Sequence, residues 1–253
     1  MFHTRGDSRI TVSMKAIAII PARLQSTRLP RKILREIAGK PMLARVYEAA
    51  RACKQLEDVI VATDSEEIMA LCRQNGWRAL MTSAEHRSGT DRVHEVAKMI
   101  VADVYVNVQG DEPLARPEHI DALLVPMRDA KLTVSTVKTS CAPEDVNNPN
   151  LVKVVTDKQG RAMYFSRSTI PFDRDGSRGV QYFKHLGFYA YRMSALDLFC
   201  KLTESQLERS ERLEQLRFLE NGIPIYVADT PFDTVGVDTE DDLKRVEKIL
   251  EKR

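Results

Sequence analysis

The stretch Ile17–Lys32, IAIIPARLQSTRLPRK, constrains the fold more than any other part of the chain. Ile17-Ala18-Ile19-Ile20 reads as a short strand buried on both faces. Pro21 stops it from continuing as a central ladder member. A loop follows with Arg23, Ser26, Thr27, Arg28, Arg31 and Lys32, and no acidic residue until Glu36. Met42, Leu43, Val46, Ala49, Ala50 and Cys53 then fall on one face of a helix. A strand, a basic loop and a helix suit an anion at the carboxyl edge of a parallel sheet. The loop matches neither glycine-rich phosphate fingerprint, so side-chain cations rather than backbone amides would neutralise the ligand. The plainer alternative is a solvated basic loop.

The pattern then repeats. Val59–Ala62 is a second strand, with Asp64 as expected N-cap and Glu67 as its capping-box partner for a helix from Ser65 to about Gln74. Gly76 is placed to end that helix. Ala79–Met81 is a third strand, and Val93, Val96, Ala97 and Ile100 give the next helix its buried face. Val104–Val108 is a fourth strand, followed by Gln109-Gly110-Asp111-Glu112-Pro113. Strands alternating with helices predict a three-layer α/β/α sandwich with a mostly parallel sheet. The middle third reads differently, with strands at Leu132–Lys138, Leu151–Thr156 and Ala162–Phe165, so a β-rich insertion is expected at about 131–185. Helices are expected at about 194–202 and 208–221, then an edge strand over Ile223–Ala228 and a last helix after Asp238-Thr239. No element is assigned between Pro113 and Leu132.

Composition excludes several classes. A net charge of +2 argues against general nucleic-acid or membrane-surface binding. No apolar run approaches the ~20 residues of a membrane span. The four cysteines form no C-x-x-C pair and read as reduced, mostly packed thiols of a cytoplasmic protein. Residues 1–13 lack the apolar core of a secretory signal, so they read as a disordered extension before a single domain over 14–253, with Met14 a candidate start.

Each candidate for chemistry has an ordinary alternative. Asp111 ends an apolar strand, where a carboxylate suits Mg²⁺ bridging phosphate oxygens, but Gly110-Asp111 is equally a turn. Asp238 precedes a helix and is an ordinary N-cap unless Asp111 lies beside it. Ser88-Gly89-Thr90-Asp91-Arg92 opens a helix whose free amides could hold a phosphate or a base. His185, in an apolar stretch with strand character, is more often a core histidine than a catalytic one. Glu214 and Gln215 read as the solvent face of a helix, and Arg167 as a surface cation.

As a set, the segments PARLQSTRLPRK, ATDSEEI, MTSAEHRSGTDRVHEV, VNVQGDEP, NPNLVKVV, YFSRSTIPF, KHLGFYAYR, LEQLRFLENG and GVDTEDDLKRV resemble one family in the same order. The chain is similar, from about Met14 onward, to the 3-deoxy-D-manno-octulosonate (Kdo) cytidylyltransferases of Gram-negative-type bacteria. The resemblance implies a nucleotide-diphospho-sugar transferase fold, with the β-rich insertion serving dimerisation. It implies transfer of CMP from CTP to Kdo with Mg²⁺, for lipopolysaccharide biosynthesis, by a homodimer.

Carried over by position, Arg23, Arg28 and Lys32 match triphosphate-binding cations, and Asp111 and Asp238 match two Mg²⁺-binding aspartates. Lys32, Asp111 and Asp238 are thereby the catalytic candidates. Ser88, Gly89, Thr90 and Arg92 match a segment near the cytidine nucleotide. Gln109, Arg167, His185, Tyr189, Glu214 and Gln215 match the sugar pocket. The chain departs from the family's RLPGKPL at Arg31, which replaces a glycine, loses its easy access to positive φ and adds a cation. An extra phosphate contact and a water-facing side chain are the two expectations for it. Competing functions are a cytidylyltransferase for 8-amino-Kdo or sialic acid, and a non-catalytic nucleotide-binding protein. The last would be expected to lack at least one of Lys32, Asp111 and Asp238.

Overall fold

A computed structural model describes residues 14–26, 28–176 and 179–252. The expected N-terminal extension at 1–13 and Thr27 of the basic loop lie outside them. The first strand, β1 (Ala16–Pro21), divides the molecule into layers. Ala16, Ala18 and Ile20 face one core while Ile17 and Ile19 face the other, as the two-residue period of a strand buried on both sides requires. A small ribbon, β2 (Glu36–Ile37) and β3 (Lys40–Pro41), leads into α1 (Met42–Ala52). Then follow β4 (Leu56–Thr63), α2 (Glu66–Gln74), β5 (Ala79–Met81), α3 (Gly89–Met99) and β6 (Val104–Asn107). Next come α4 (Pro117–Met127), β7 (Val134–Ser140), β8 (Lys153–Thr156), β9 (Ala162–Ser166) and β10 (Phe183–Tyr191). The chain continues through α5 (Met193–Lys201), α6 (Gln206–Glu211), α7 (Leu216–Glu220), β11 (Tyr226–Asp229) and α8 (Glu240–Leu250).

The strands run in the order β11-β7-β10-β6-β1-β4-β5, parallel except for β10, which is antiparallel to both neighbours. β8 pairs with β10 and carries β9 off this path. From 131 onward, therefore, β7 and β10 lie in the main path of the sheet, and β8–β9 branches from β10 as part of the same sheet. Residues of α1, α2 and α4 pack on one sheet face, and residues of α3, α5 and α7 on the other. The three-layer expectation is met.

Two local expectations are corrected, and one element was not expected at all. Ser65, not Asp64, caps α2, its side chain accepting from the Ile68 amide. The helix expected at 208–221 is broken, because Arg212 takes a left-handed conformation (φ 56°) and the chain turns between α6 and α7. α4 has no counterpart in the sequence reading, although Pro117 stands at its tolerated first turn and Pro126 only in its last. The edge position of β11 agrees with expectation, with Pro224 just before the strand.

A third, smaller core decides where the basic loop sits. Leu29 of that loop, Ile37, Met42 and Leu114 pack with Val237, Leu243 and Val246 from the start and body of α8. Thr239 and Asp242 form a reciprocal capping box that fixes the α8 entry. Among the described residues no helix is long and apolar enough to cross a membrane. Cys53 and Cys72 are buried, Cys141 half-buried and Cys200 exposed, all four as free thiols.

Candidate active site

The chain proceeds outward from β1 through β4 to β5, then returns to place β6 on the other side of β1. The carboxyl ends of β1 and β6 therefore flank a topological switch point, where open α/β sheets leave a crevice. The basic loop follows β1, and Gln109–Glu112 follows β6. Gly110 lets the two loops approach, since a Cβ there would lie 2.8 Å from the Pro21 carbonyl oxygen.

Lys32 lies at the meeting point, on a single 3₁₀ turn whose preceding residue, Arg31, has φ 56°. Its Nζ donates to Asp111 Oδ2 at 2.6 Å and to Asp238 Oδ1 at 2.9 Å, and Arg28 pairs with Asp238 Oδ2 at 2.8 Å. Asp238 is thus a partner of the basic loop rather than the α8 cap, a role that Thr239 takes. Burial opposes the charge on Lys32, but the charges of Asp111 and Asp238 and their hydrogen bonds outweigh it, so its pKa is raised. For Asp238, burial is outweighed by the Lys32 contact and then Arg28, so its pKa is lowered. Both groups are held in their charged forms.

Two carboxylates in reach of one ammonium form a hard-oxygen pair that suits Mg²⁺, which keeps waters and phosphate oxygens as its other ligands. Among the described residues no three His, Cys, Asp or Glu side chains converge into a fuller metal cluster. An ion here would draw its remaining ligands from a substrate and water.

The cluster opens on a cleft of about 270 Å³. Arg23, Arg28, Lys32, Ser88, Gly89, Arg92, Gln109, Asp111 and Asp238 all line it. Arg92 is nearly buried, its guanidinium bound to Asp64 at 2.8 Å and to the Thr82 hydroxyl, so it braces the cleft wall. Ser88 caps α3 with Asp91 as its capping-box partner, fixing the α3 start over the cleft. Arg31 instead meets Glu67 in the first turn of α2.

A second, contiguous cavity of about 540 Å³ receives Thr90, Arg167, His185, Tyr189 and Gln215, and shares Arg28, Gln109, Glu214 and Asp238 with the cleft. The broken helix brings Glu214 and Gln215 inward, against the solvent-facing expectation. Glu214 accepts from Thr90 Oγ1 at 3.0 Å, and burial raises its pKa despite that bond. His185 Nε2 lies 2.9 Å from Thr136 Oγ1, whose hydroxyl donates to the Phe188 carbonyl at 2.7 Å. The ring must therefore be the donor to Thr136, with Nδ1 unprotonated. Burial lowers its pKa to about 3, so it is neutral and unsuited to act as a cation. Arg167 donates from Nε to the Glu211 carbonyl at 2.8 Å and from Nη1 to that of Pro149 at 3.2 Å.

Sequence reasoning passed over Glu112 and Lys153. Burial, with Asp111 adding to it, raises Glu112 to about 7, and its carboxyl accepts from Thr234 Oγ1 at 2.8 Å. Lys153 is fully buried and donates to the carbonyls of Asn148, Leu151 and Arg167 at 2.9, 2.7 and 2.6 Å. Both stand inside segments of the family resemblance, Glu112 in VNVQGDEP and Lys153 in NPNLVKVV, but no local spacing marks either as buried. A charge inside the β-rich segment was the one available signal for Lys153.

This fold and its switch-point cleft place the chain among the cytidylyltransferases, whose family model matches residues 17–227. A 3-deoxy-manno-octulosonate cytidylyltransferase of Koribacter versatilis is 69% identical over 243 residues, covering 96% of this chain and 93% of its own. The corresponding protein of Acidobacterium capsulatum is 56% identical over 95% of this chain and 98% of its own. The solved structure of CMP:2-keto-3-deoxy-manno-octonic acid synthetase complexed with CTP matches with a TM-score of 0.90 at 42% identity, over 94% of this chain and 99% of that one. The chain belongs to the 3-deoxy-manno-octulosonate cytidylyltransferase family.

Proposed function

We propose that the protein transfers CMP from CTP to Kdo, releasing pyrophosphate, and so activates the sugar for lipopolysaccharide biosynthesis. The observation that carries this reading is the Lys32–Asp111–Asp238 cluster, set between a cation-lined cleft and a polar cavity. The triphosphate fits the cleft, where Arg23, Arg28 and Lys32 would take phosphate oxygens and Ser88, Gly89 and Arg92 would frame the nucleotide, with Thr90 on the wall of the adjoining cavity rather than in the cleft. Kdo fits the cavity. Arg167 would face its carboxylate, and Gln109, His185, Tyr189, Glu214 and Gln215 its hydroxyls.

In this arrangement the sugar's anomeric hydroxyl attacks the α-phosphorus in line. The new O–P bond forms as the bond to the β-phosphate oxygen breaks, pyrophosphate carries away the electron pair, and the hydroxyl proton passes to solvent. The work of the protein is positioning and charge compensation. Asp111 and Asp238 would hold Mg²⁺, which when bound aligns phosphate oxygens and offsets their charge. Lys32 would then exchange its carboxylates for phosphate oxygens, keeping a cation at the reacting end.

A cytoplasmic homodimer completes the proposal. Met163 and Phe172 are 65% and 84% exposed within 131–185, and support an interface there. Light scattering after size exclusion tests it, and a monomeric mass would remove the dimer from the reading.

Pyrophosphate release with CTP and Mg²⁺, compared for Kdo, 8-amino-Kdo and sialic acid, tests the function. Release with Kdo is expected, falling by roughly 10²-fold or more in Asp111→Ala and Asp238→Ala. Preference for another sugar would keep the phosphate site and overturn the Kdo assignment. CTP binding with no release for any sugar would point to a non-catalytic protein.

A further inference from the structure

Strand β6 alternates as a doubly buried strand should until its last residue. Val104 and Val106 enter the core under α1 and α4, and Tyr105 enters the opposite one. Asn107 follows on the Tyr105 side, registered with Ile19 of β1 and Tyr189 of β10. It is 1% exposed, at a place where the period calls for an apolar residue. Among the described residues neither its Nδ2 nor its Oδ1 has a hydrogen-bond partner. Nearby, Gln215 is 6% exposed and its Nε2 is likewise without one. Both side chains border the 540 Å³ cavity.

A buried amide with an unused donor and an unused acceptor is costly, and an apolar side chain of similar size would avoid that cost. The cavity supplies a reason for keeping it. A carboxamide matches two hydroxyls of a polyol, donating to one oxygen and accepting from the other. No described residue satisfies it: the nearby Glu214 Oε2 accepts from Thr90 Oγ1 instead.

We infer that Asn107 is a specificity-determining residue, its carboxamide pairing with sugar hydroxyls in the loaded cavity alongside Gln215 Nε2. The inference rests on the sugar-acid reading of the cavity. It also requires a small shift of the floor on binding, since the amide atoms are covered in the sugar-free protein.

The test is Asn107→Leu, which is nearly isosteric and removes both polar atoms. The melting temperature of the ligand-free protein should rise, because a partnerless amide has gone. The KM for Kdo should rise roughly tenfold to a hundredfold, with the KM for CTP within about twofold of wild type. A lower melting temperature with an unchanged Kdo KM would overturn the inference and assign Asn107 a purely structural hydrogen bond. Equal rises in both KM values would overturn it too, by showing general damage. If the leucine variant does not fold, Asn107→Ser takes its place, and an unchanged Kdo KM there overturns the inference. Wild-type turnover of Kdo is measured first. Its absence would defeat the functional reading, whereas turnover with an indifferent variant defeats only the role of Asn107.

Discussion

Arg31 stands where the family pattern given above has a glycine, and its backbone keeps the conformation a glycine would favour. At φ 56° and ψ 30° it lies in the left-handed region, which costs a non-glycine residue roughly 1 kcal/mol. Its guanidinium is engaged by Glu67, an exposed pair of the kind that contributes about 0–1 kcal/mol. Arg31→Gly would relieve the backbone, lose the pair and loosen the unfolded chain by about 0.4–1 kcal/mol. These effects nearly cancel, so stability in urea should stay within about 1 kcal/mol of wild type. The KM for CTP should not change, because the side chain points to α2 rather than to Lys32. A several-fold rise in that KM would mean that Arg31 leaves Glu67 for the phosphates. Lys32, one residue on, should behave oppositely. Lys32→Met leaves Asp111 and Asp238 facing each other without their shared cation. It should lower kcat/KM for CTP by at least about 10²-fold, and steady-state kinetics would read the loss.

At the scale of elements, the site depends on α8 as much as on the loop that carries its cations. Leu243 and Val246 bury against Leu29, so the helix that follows Asp238 also anchors the segment between Arg28 and Lys32. Leu243→Ala should cost about 2–4 kcal/mol, since the small core has few neighbours to fill the cavity. It should also raise the KM for CTP with little effect on that for Kdo, which calorimetry and kinetics together would show. The strands and helices of the parallel half were legible because Ile17–Ile20, Val59–Ala62 and Val104–Val106 are short apolar runs separated by helical periods. Lys32, Asp111 and Asp238 were legible as candidates by type and motif, not as neighbours. Their meeting is made by a crossover and by α8, and no local spacing encodes it. Glu214 and Gln215 were placed on a solvent face because 208–221 reads as one helix. The break depends on Arg212 adopting a left-handed backbone, which its residue type does not announce. α4 falls in the stretch left unassigned between Pro113 and Leu132, although Pro117 and Pro126 stand at positions that its first and last turns tolerate.

For the molecule as a whole, the polar interior ties stability to pH. His185 bridges β10 and β7 through Thr136, packs edge-on against Phe165 with ring centroids 4.9 Å apart, and is buried on the wall of the second cavity. Burial lowers its folded pKa to about 3, from 6.5 for the free side chain. Between those values the unfolded chain binds a proton there that the folded chain refuses. Stability must therefore fall as pH drops from 6.5 toward 3, by up to about 1.4 kcal/mol per pH unit for this one group, and be insensitive to it above 6.5. His185→Gln keeps a donor for Thr136 and cannot titrate, so its acid limb should be shallower than that of wild type. Urea unfolding at pH 7.5, 6, 5 and 4 measures the difference. The two proteins should differ by a roughly constant offset above pH 6.5 and converge, or cross, on acidification. Parallel curves down to pH 4 would show that His185 takes up its proton in the folded state, which would require the cavity wall to open around it. That result would bear on the sugar as well. A histidine that can be charged in place could act as a cation toward a carboxylate, whereas one that stays neutral leaves that work to Arg167.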